Sequence, residues 1–172
     1  METYYTLEEK YIPAVEEMRF GETAKALKIL NELLEVEPKY ARTYFQLGKI
    51  YYYDIQDYQS AGYYFERCTE LEPDFPEAYP HYLKLLVFLG KEKQARKVAE
   101  LALLVPGISA CGIYEQLGLL NEMLRSWTEA LSNYSKGILY ALNKEELDNL
   151  EDAVKRTRFK MEKTLKYSYQ VL

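Results

Sequence analysis

The 172-residue chain is predicted to be all-α, built from helix pairs copied along its length. Three observations predict it. Ala26, Ala61, Ala95 and Ala130 stand 35, 34 and 35 residues apart. Tyr44, Tyr79 and Tyr114 precede the last three of these at a constant spacing of 35. Pro38, Pro73 and Pro106 follow the first three alanines. A period of this length means one supersecondary unit in several copies, each unable to bury its apolar face alone.

The first copy, about residues 7–40, keeps a second helix marked by Ala26, Leu30, Leu33 and Pro38. Its first helix departs from the later ones, with Lys10 in place of a leading aromatic and Pro13-Ala14 in place of Leu-Gly. The second copy, about 41–75, is the clearest: Tyr44-x2-Leu47-Gly48-x2-Tyr51, then Ala61-x3-Phe65, then Pro73. The third, about 76–110, reads Tyr79-x2-Tyr82-Leu83-x2-Leu86. Leu83 stands where the second copy has Gly48, and the larger side chain is expected to push the helices apart or shift their crossing. The fourth, about 111–142, restores Tyr114-x2-Leu117-Gly118 and Ala130-x3-Tyr134, and no Pro closes it. Asn143-x-x-Glu146 then offers an N-cap and a reciprocal carboxylate. The helix it opens, about 144–167, is the polar-faced cap that a stack of repeats needs at its open end.

Within each copy the small residues, Gly48 and the four alanines, stand where two antiparallel helices would cross. Tyr44, Leu47, Tyr51, Phe65 and Leu71 recur at helical spacing and fill the gaps between helices. Pro38 and Pro73 follow Glu-rich helix ends, where a residue without an N–H stops the helix. Turns inside the pairs are expected near Gly21, Asp57, Gly90 and Ser126.

The second copy closely resembles the tetratricopeptide repeat, whose pattern is W-x2-L-G-x2-Y…A-x3-F…P. The resemblance extends, with the departures just given, over nearly the whole chain. It implies a right-handed superhelical α-solenoid of about four helix pairs plus a C-terminal capping helix, as one domain over residues 1–172. It also implies function: such a protein is expected to be a non-enzymatic interaction scaffold or adaptor. A peptide or helix of a partner would lie in a concave groove lined by the first helix of each pair. Helical phase assigns to that groove Tyr11 from the first copy and Arg42, Phe45, Lys49, Tyr52 and Tyr53 from the second. Lys84 and Phe88 come from the third, and Glu115, Leu119, Glu122 and Met123 from the fourth. Aromatics and Arg are enriched among binding hot spots, and the cations favour a partner with acidic as well as apolar side chains. One sub-type of the family grips the C-terminal carboxylate of chaperones with Lys, Asn and Arg side chains. The matching positions here, Tyr11, Val15, Gln46, Glu77 and His81, keep none of its cations, so a chaperone carboxylate clamp is not expected.

Composition limits the other classes. A net charge of −5 argues against general nucleic-acid affinity. No run of apolar residues is long enough for a membrane span. The start, Met1-Glu2-Thr3-Tyr4-Tyr5, lacks the basic and apolar regions of a signal peptide, and a cytoplasmic protein is expected. Cys68 and Cys111 read as reduced thiols. No second Cys or His stands at metal-ligand spacing, and His81, the one histidine, reads as structural. The chain lacks the phosphate-loop, zinc-protease, nucleophile-elbow and dinucleotide motifs. No catalytic residue, metal or cofactor is therefore expected. Lys155, Arg156, Arg158, Lys160, Lys163 and Lys166 crowd the last helix, where cations suit a helix C-terminus. The alternative, a basic platform for an acidic partner or nucleic acid, is less favoured because these cations wrap around the helix rather than form one stripe. Two other functions remain open: a self-associating structural subunit, such as a homodimer, with Val171-Leu172 seeking burial, and a regulatory partner of an enzyme on another chain.

Overall fold

The computed structural model describes residues 6–169, with side chains to Thr164. The start at Met1–Tyr5 and the apolar end at Val171 and Leu172 lie outside the described residues, as do the side chains of Lys166 and Tyr167. The described residues form helices and no strand. The chain divides into two compact units, Met1–Leu85 and Leu86–Leu172.

The first unit opens with α1 (Leu7–Arg19) and α2 (Thr23–Val36). A capping box starts α1: Thr6 Oγ1 accepts from the Glu9 N–H at 3.3 Å, and the Glu9 carboxylate accepts from the Thr6 N–H at 2.7 Å. Ala14, Ala26, Leu30 and Leu33 close this pair and continue into Leu47 of the next helix and Ile50 just after it. That helix, α3 (Ala41–Lys49), runs on as a π-helical turn, Ile50–Ile55, before α4 (Tyr58–Leu71). The Tyr44 hydroxyl donates to the Pro38 carbonyl at 2.9 Å, and Tyr79 repeats the bond to Pro73 at 2.6 Å. The periodic Tyr and Pro are thus one device, an aromatic on a first helix tied to the linker before it. Gly48 lies under the ring of Phe65, where a Cβ would stand 2.7 Å from ring carbons. The crossing expected at Gly48 is there, and Phe65 is the residue that fills it. Ala61 is fully buried one turn earlier on α4.

The π turn has a source in the chain. Tyr44 and Ala61 are 17 residues apart, whereas Tyr79 to Ala95 and Tyr114 to Ala130 are 16. One extra residue must be absorbed between helices whose crossing is fixed by Gly48 and Phe65. An i→i+5 turn inside a helix does this without breaking it. The left-handed residue that ends the first helix keeps its place. Gly21, Gln56, Gly90 and Arg125, with φ of 78°, 61°, 64° and 58°, each stand five residues before the repeated alanine. Two of the four are not glycine, although this conformation favours it.

The first unit also includes most of α5 (Ala78–Phe88). The second begins at its end and continues with α6 (Glu92–Ala102), α7 (Ala110–Met123), α8 (Trp127–Tyr140) and α9 (Lys144–Tyr169). Turns therefore fall at Gly21, Asp57, Gly90 and Ser126. Gly118 lies under the ring of Tyr134 as Gly48 does under Phe65. At the matching positions of the third copy stand Leu83 in the first unit and Ala99 in the second, both buried. Asn143 caps α9, its Oδ1 accepting from the Glu146 N–H at 2.9 Å. The Glu146 carboxylate reaches back to the Leu142 N–H at 2.8 Å, one residue before the expected partner. Cys111, Ala130, Tyr134, Leu150 and Ala153 form the core beneath α9.

Candidate partner-binding face

Three contacts in the first unit set the first helices of successive copies side by side. Gln46 on α3 donates to the Tyr11 hydroxyl on α1 at 2.6 Å. Arg42 on α3 lies 3.7 Å from the Glu8 carboxylate on α1. Tyr53, in the π turn, places its hydroxyl 2.8 Å from His81 Nδ1 on α5. Around these contacts stand two lysines. Lys49 Nζ sits 5.3 Å from the centre of the Phe45 ring, and Lys84 is exposed on α5. Among the described residues neither lysine is paired with a carboxylate. His81 is half-buried among Phe45, Phe65 and Tyr53. Burial, then the charges of Lys49 and Lys84, lower its pKa to about 4, so the imidazole is neutral at physiological pH.

The residues assigned by helical phase meet different fates. Tyr11, Arg42, Lys49, Tyr53 and Lys84 all retain accessible surface in this unit. Phe45 is only 7% exposed and does not line a surface. Its ring packs edge-on against Phe75 and is tilted against Phe65, which makes it part of the crossing. Tyr52 is half-buried and turns to Tyr58 on α4, at 5.9 Å between ring centres, while Tyr53 is the residue that reaches α5. Phe88 is 57% exposed and belongs to the second unit. Two residues that the phase argument leaves out are central. Gln46 is expected only as a position of an absent clamp and His81 only as that and as a structural residue, yet they hold Tyr11 and Tyr53 in place.

In the second unit, Glu122 is not on an open face. It is 5% exposed. Arg156 of α9 donates to it through Nε and Nη2 at 2.9 and 2.8 Å, Lys160 at 2.7 Å, and the Tyr134 hydroxyl at 2.8 Å. Burial pushes this carboxyl up, and the hydrogen bonds from Arg156, Lys160 and Tyr134 overcome it and hold the pKa down at about 2. Two of the cations crowded on the last helix therefore fasten that helix to α7. Lys155 pairs with Asp152 at 3.1 Å.

Residues 41–75, which hold α3, the π turn and α4, match the model of the tetratricopeptide repeat family. The second copy is therefore a tetratricopeptide repeat. No curated protein matches the chain in sequence. Its fold is that of solved repeat structures. MamA from Desulfovibrio magneticus RS-1, in a form running from residue 41 to its end, is 18% identical with a TM-score of 0.70, over 95% of this chain and 96% of that one. TTC0263, a thermophilic tetratricopeptide protein of Thermus thermophilus, is 19% identical with a TM-score of 0.67, over 89% and 84%. PilW, a widely conserved type IV pilus biogenesis factor, is 15% identical with a TM-score of 0.71, over 90% and 79%. In the tetratricopeptide fold described here, no group of His, Cys, Asp and Glu among the described residues could hold a metal ion. No helix among them is long and apolar enough to cross a membrane. Cys68 and Cys111 are free and buried, and burial pushes the Cys68 thiol up to about 12.

Proposed function

We propose that this protein is an interaction module that holds a segment of a partner protein against the face made by α1, α3 and α5. The observation that carries this reading is the pair Lys49 and Lys84, unpaired with any carboxylate among the described residues and flanking a neutral His81. In a chain of net charge −5, two such cations beside half-buried tyrosines favour an acidic segment with apolar side chains. Arg42, already beside Glu8, is available to a carboxylate that competes for it. Tyr11 and Tyr53 are pre-positioned by Gln46 and His81, which lowers the entropy cost of using them as contacts. Tyr52 contributes to the margin of the face. Phe45 supports it from beneath.

The test begins with capture of the partner on the immobilised full chain and continues with calorimetry on variants. Lys49→Glu with Lys84→Glu should weaken binding by about tenfold or more and remove most of its salt sensitivity. Tyr53→Ala should remove a hot-spot contact of about 2 kcal/mol. Lys28→Ala, an exposed change on α2 beside Glu32, should leave affinity unaltered. Equal affinity for wild type and the charge-reversed protein would place binding elsewhere.

A further inference from the structure

A second candidate surface lies in the other unit and does not depend on the first. The end of α7, the turn after it, the start of α8 and the latter half of α9 enclose a cleft of about 490 Å³. Met123, Trp127 and Phe159 supply its apolar wall, and Arg125, Lys160 and Lys163 its charge. Met123 and Phe159 are 52% and 60% exposed, so both present apolar surface to the cleft. The cations divide into two groups. Lys160 is committed to Glu122. Lys163 lies over the face of Phe159, 5.2 Å from its centre, and Arg125 is exposed in the turn. Neither has an ion-pair partner among the described residues.

We infer that this cleft docks an acidic segment of another protein, one that carries an aromatic or branched apolar side chain between carboxylates. The apolar side chain would rest on Trp127, Phe159 and Met123, and the carboxylates would meet Arg125 and Lys163. The complementarity is local: these cations stand on a protein whose net charge is −5, so an acidic segment is repelled by much of the surface and drawn here. A nucleotide fits less well. Phosphate groups are held by converging donors such as bidentate Arg or a row of backbone N–H groups. This cleft instead has two cations on separate elements, Arg125 in the turn and Lys163 on α9.

Trp127 is the chain's sole tryptophan, so selective excitation of the indole reports on this cleft. The probe is a synthetic peptide alternating Glu with Leu and Phe, titrated into the full-length chain. Saturable change of the Trp127 emission is expected. Arg125→Glu with Lys163→Glu should weaken it by about tenfold or more, and Phe159→Ala should weaken it comparably. The same peptide with Gln for every Glu should lose the signal. Lys49→Glu with Lys84→Glu, in the first unit, should leave it unchanged, which separates this site from the α1, α3 and α5 face. An emission unaffected by the peptide, or affinity retained by the double charge reversal, would overturn the inference. Saturation by ATP but not by the peptide would overturn it in favour of a phosphate ligand.

Discussion

The second and fourth repeats use one crossing in two ways. In both, a glycine on the first helix lies under an aromatic ring of the second, Gly48 beneath Phe65 and Gly118 beneath Tyr134. In the second repeat the ring is wholly apolar and joins Phe45 and Tyr82 in the core of its unit. In the fourth the ring carries a hydroxyl, which reaches the buried Glu122 and through it Arg156 and Lys160 of α9. One oxygen atom thus converts a packing contact into a junction that fastens the final helix. The motif determines where helices cross, and the chemistry at the crossing determines what else is attached there.

The largest expected effect follows from that difference. Gly118→Leu must displace Tyr134 and so disturbs both the packing and the Glu122 junction, at a cost of about 3 kcal/mol or more. Gly48→Leu disturbs packing alone and should cost about 2 kcal/mol. Thermal melts of the two variants compare them directly. Equal losses would mean that the Tyr134 hydroxyl adds nothing to the crossing.

Glu122→Gln isolates the junction. The carboxyl's pKa is depressed from 4.5 to about 2, so its stabilisation is complete above about 4.5 and is lost as pH falls through about 2. At neutral pH the substitution should cost about 2 kcal/mol. The gap between wild type and variant should then close as the medium is acidified through that interval. A gap that stays constant with pH would show that the charge of Glu122 is not what holds α9. Tyr134→Phe, which removes one hydrogen bond to the same carboxylate, should cost about 1 kcal/mol.

The helix pairs, their turns and the Gly48 crossing are legible in the chain because period, small residues and prolines act on the backbone locally. The role of Tyr44 and Tyr79 as ties to Pro38 and Pro73 is recoverable too, from a constant separation of six residues. Gln56 and Arg125 give no sign of their left-handed backbone, since neither is a residue type that favours it. The position five residues before each alanine is the available signal. The face is harder. Helical phase counted from α3 fails once the π turn intervenes, which is why it assigns Tyr52 and Tyr53 alike although only Tyr53 reaches His81. Phase also cannot distinguish a surface aromatic from one that a neighbouring helix covers, and Phe45 is covered by Phe75 and Phe65. It places Glu122 on an open face because nothing in the spacing of cations along α9 says which of them will meet it.

The smallest expected change in stability tests the π turn itself. Its extra residue separates the second repeat from the third and fourth, so deletion of Ile55, exposed at the end of the turn, restores the 16-residue spacing of the other two. The α3–α4 crossing through Gly48 and Phe65 should then survive, with a stability change below about 1 kcal/mol. Deletion of Leu119 from the regular helix α7 is the counterpart. It leaves one residue too few between Tyr114 and Ala130 and should cost several times more, about 3 kcal/mol or above. Binding should respond in the opposite order. An α-helical continuation turns each residue by about 100° rather than the smaller angle of a π turn, so Tyr53 leaves His81 while Arg42 and Lys49 stay where they are. A partner held by the α1, α3 and α5 face should then bind the Ile55 deletion several-fold more weakly, although the protein melts like wild type. If the deletion instead unfolds the first unit, the extra residue is structural. If affinity and melting temperature both stay unchanged, Tyr53 is not a contact and the face must be redrawn around Tyr11, Arg42 and Lys84.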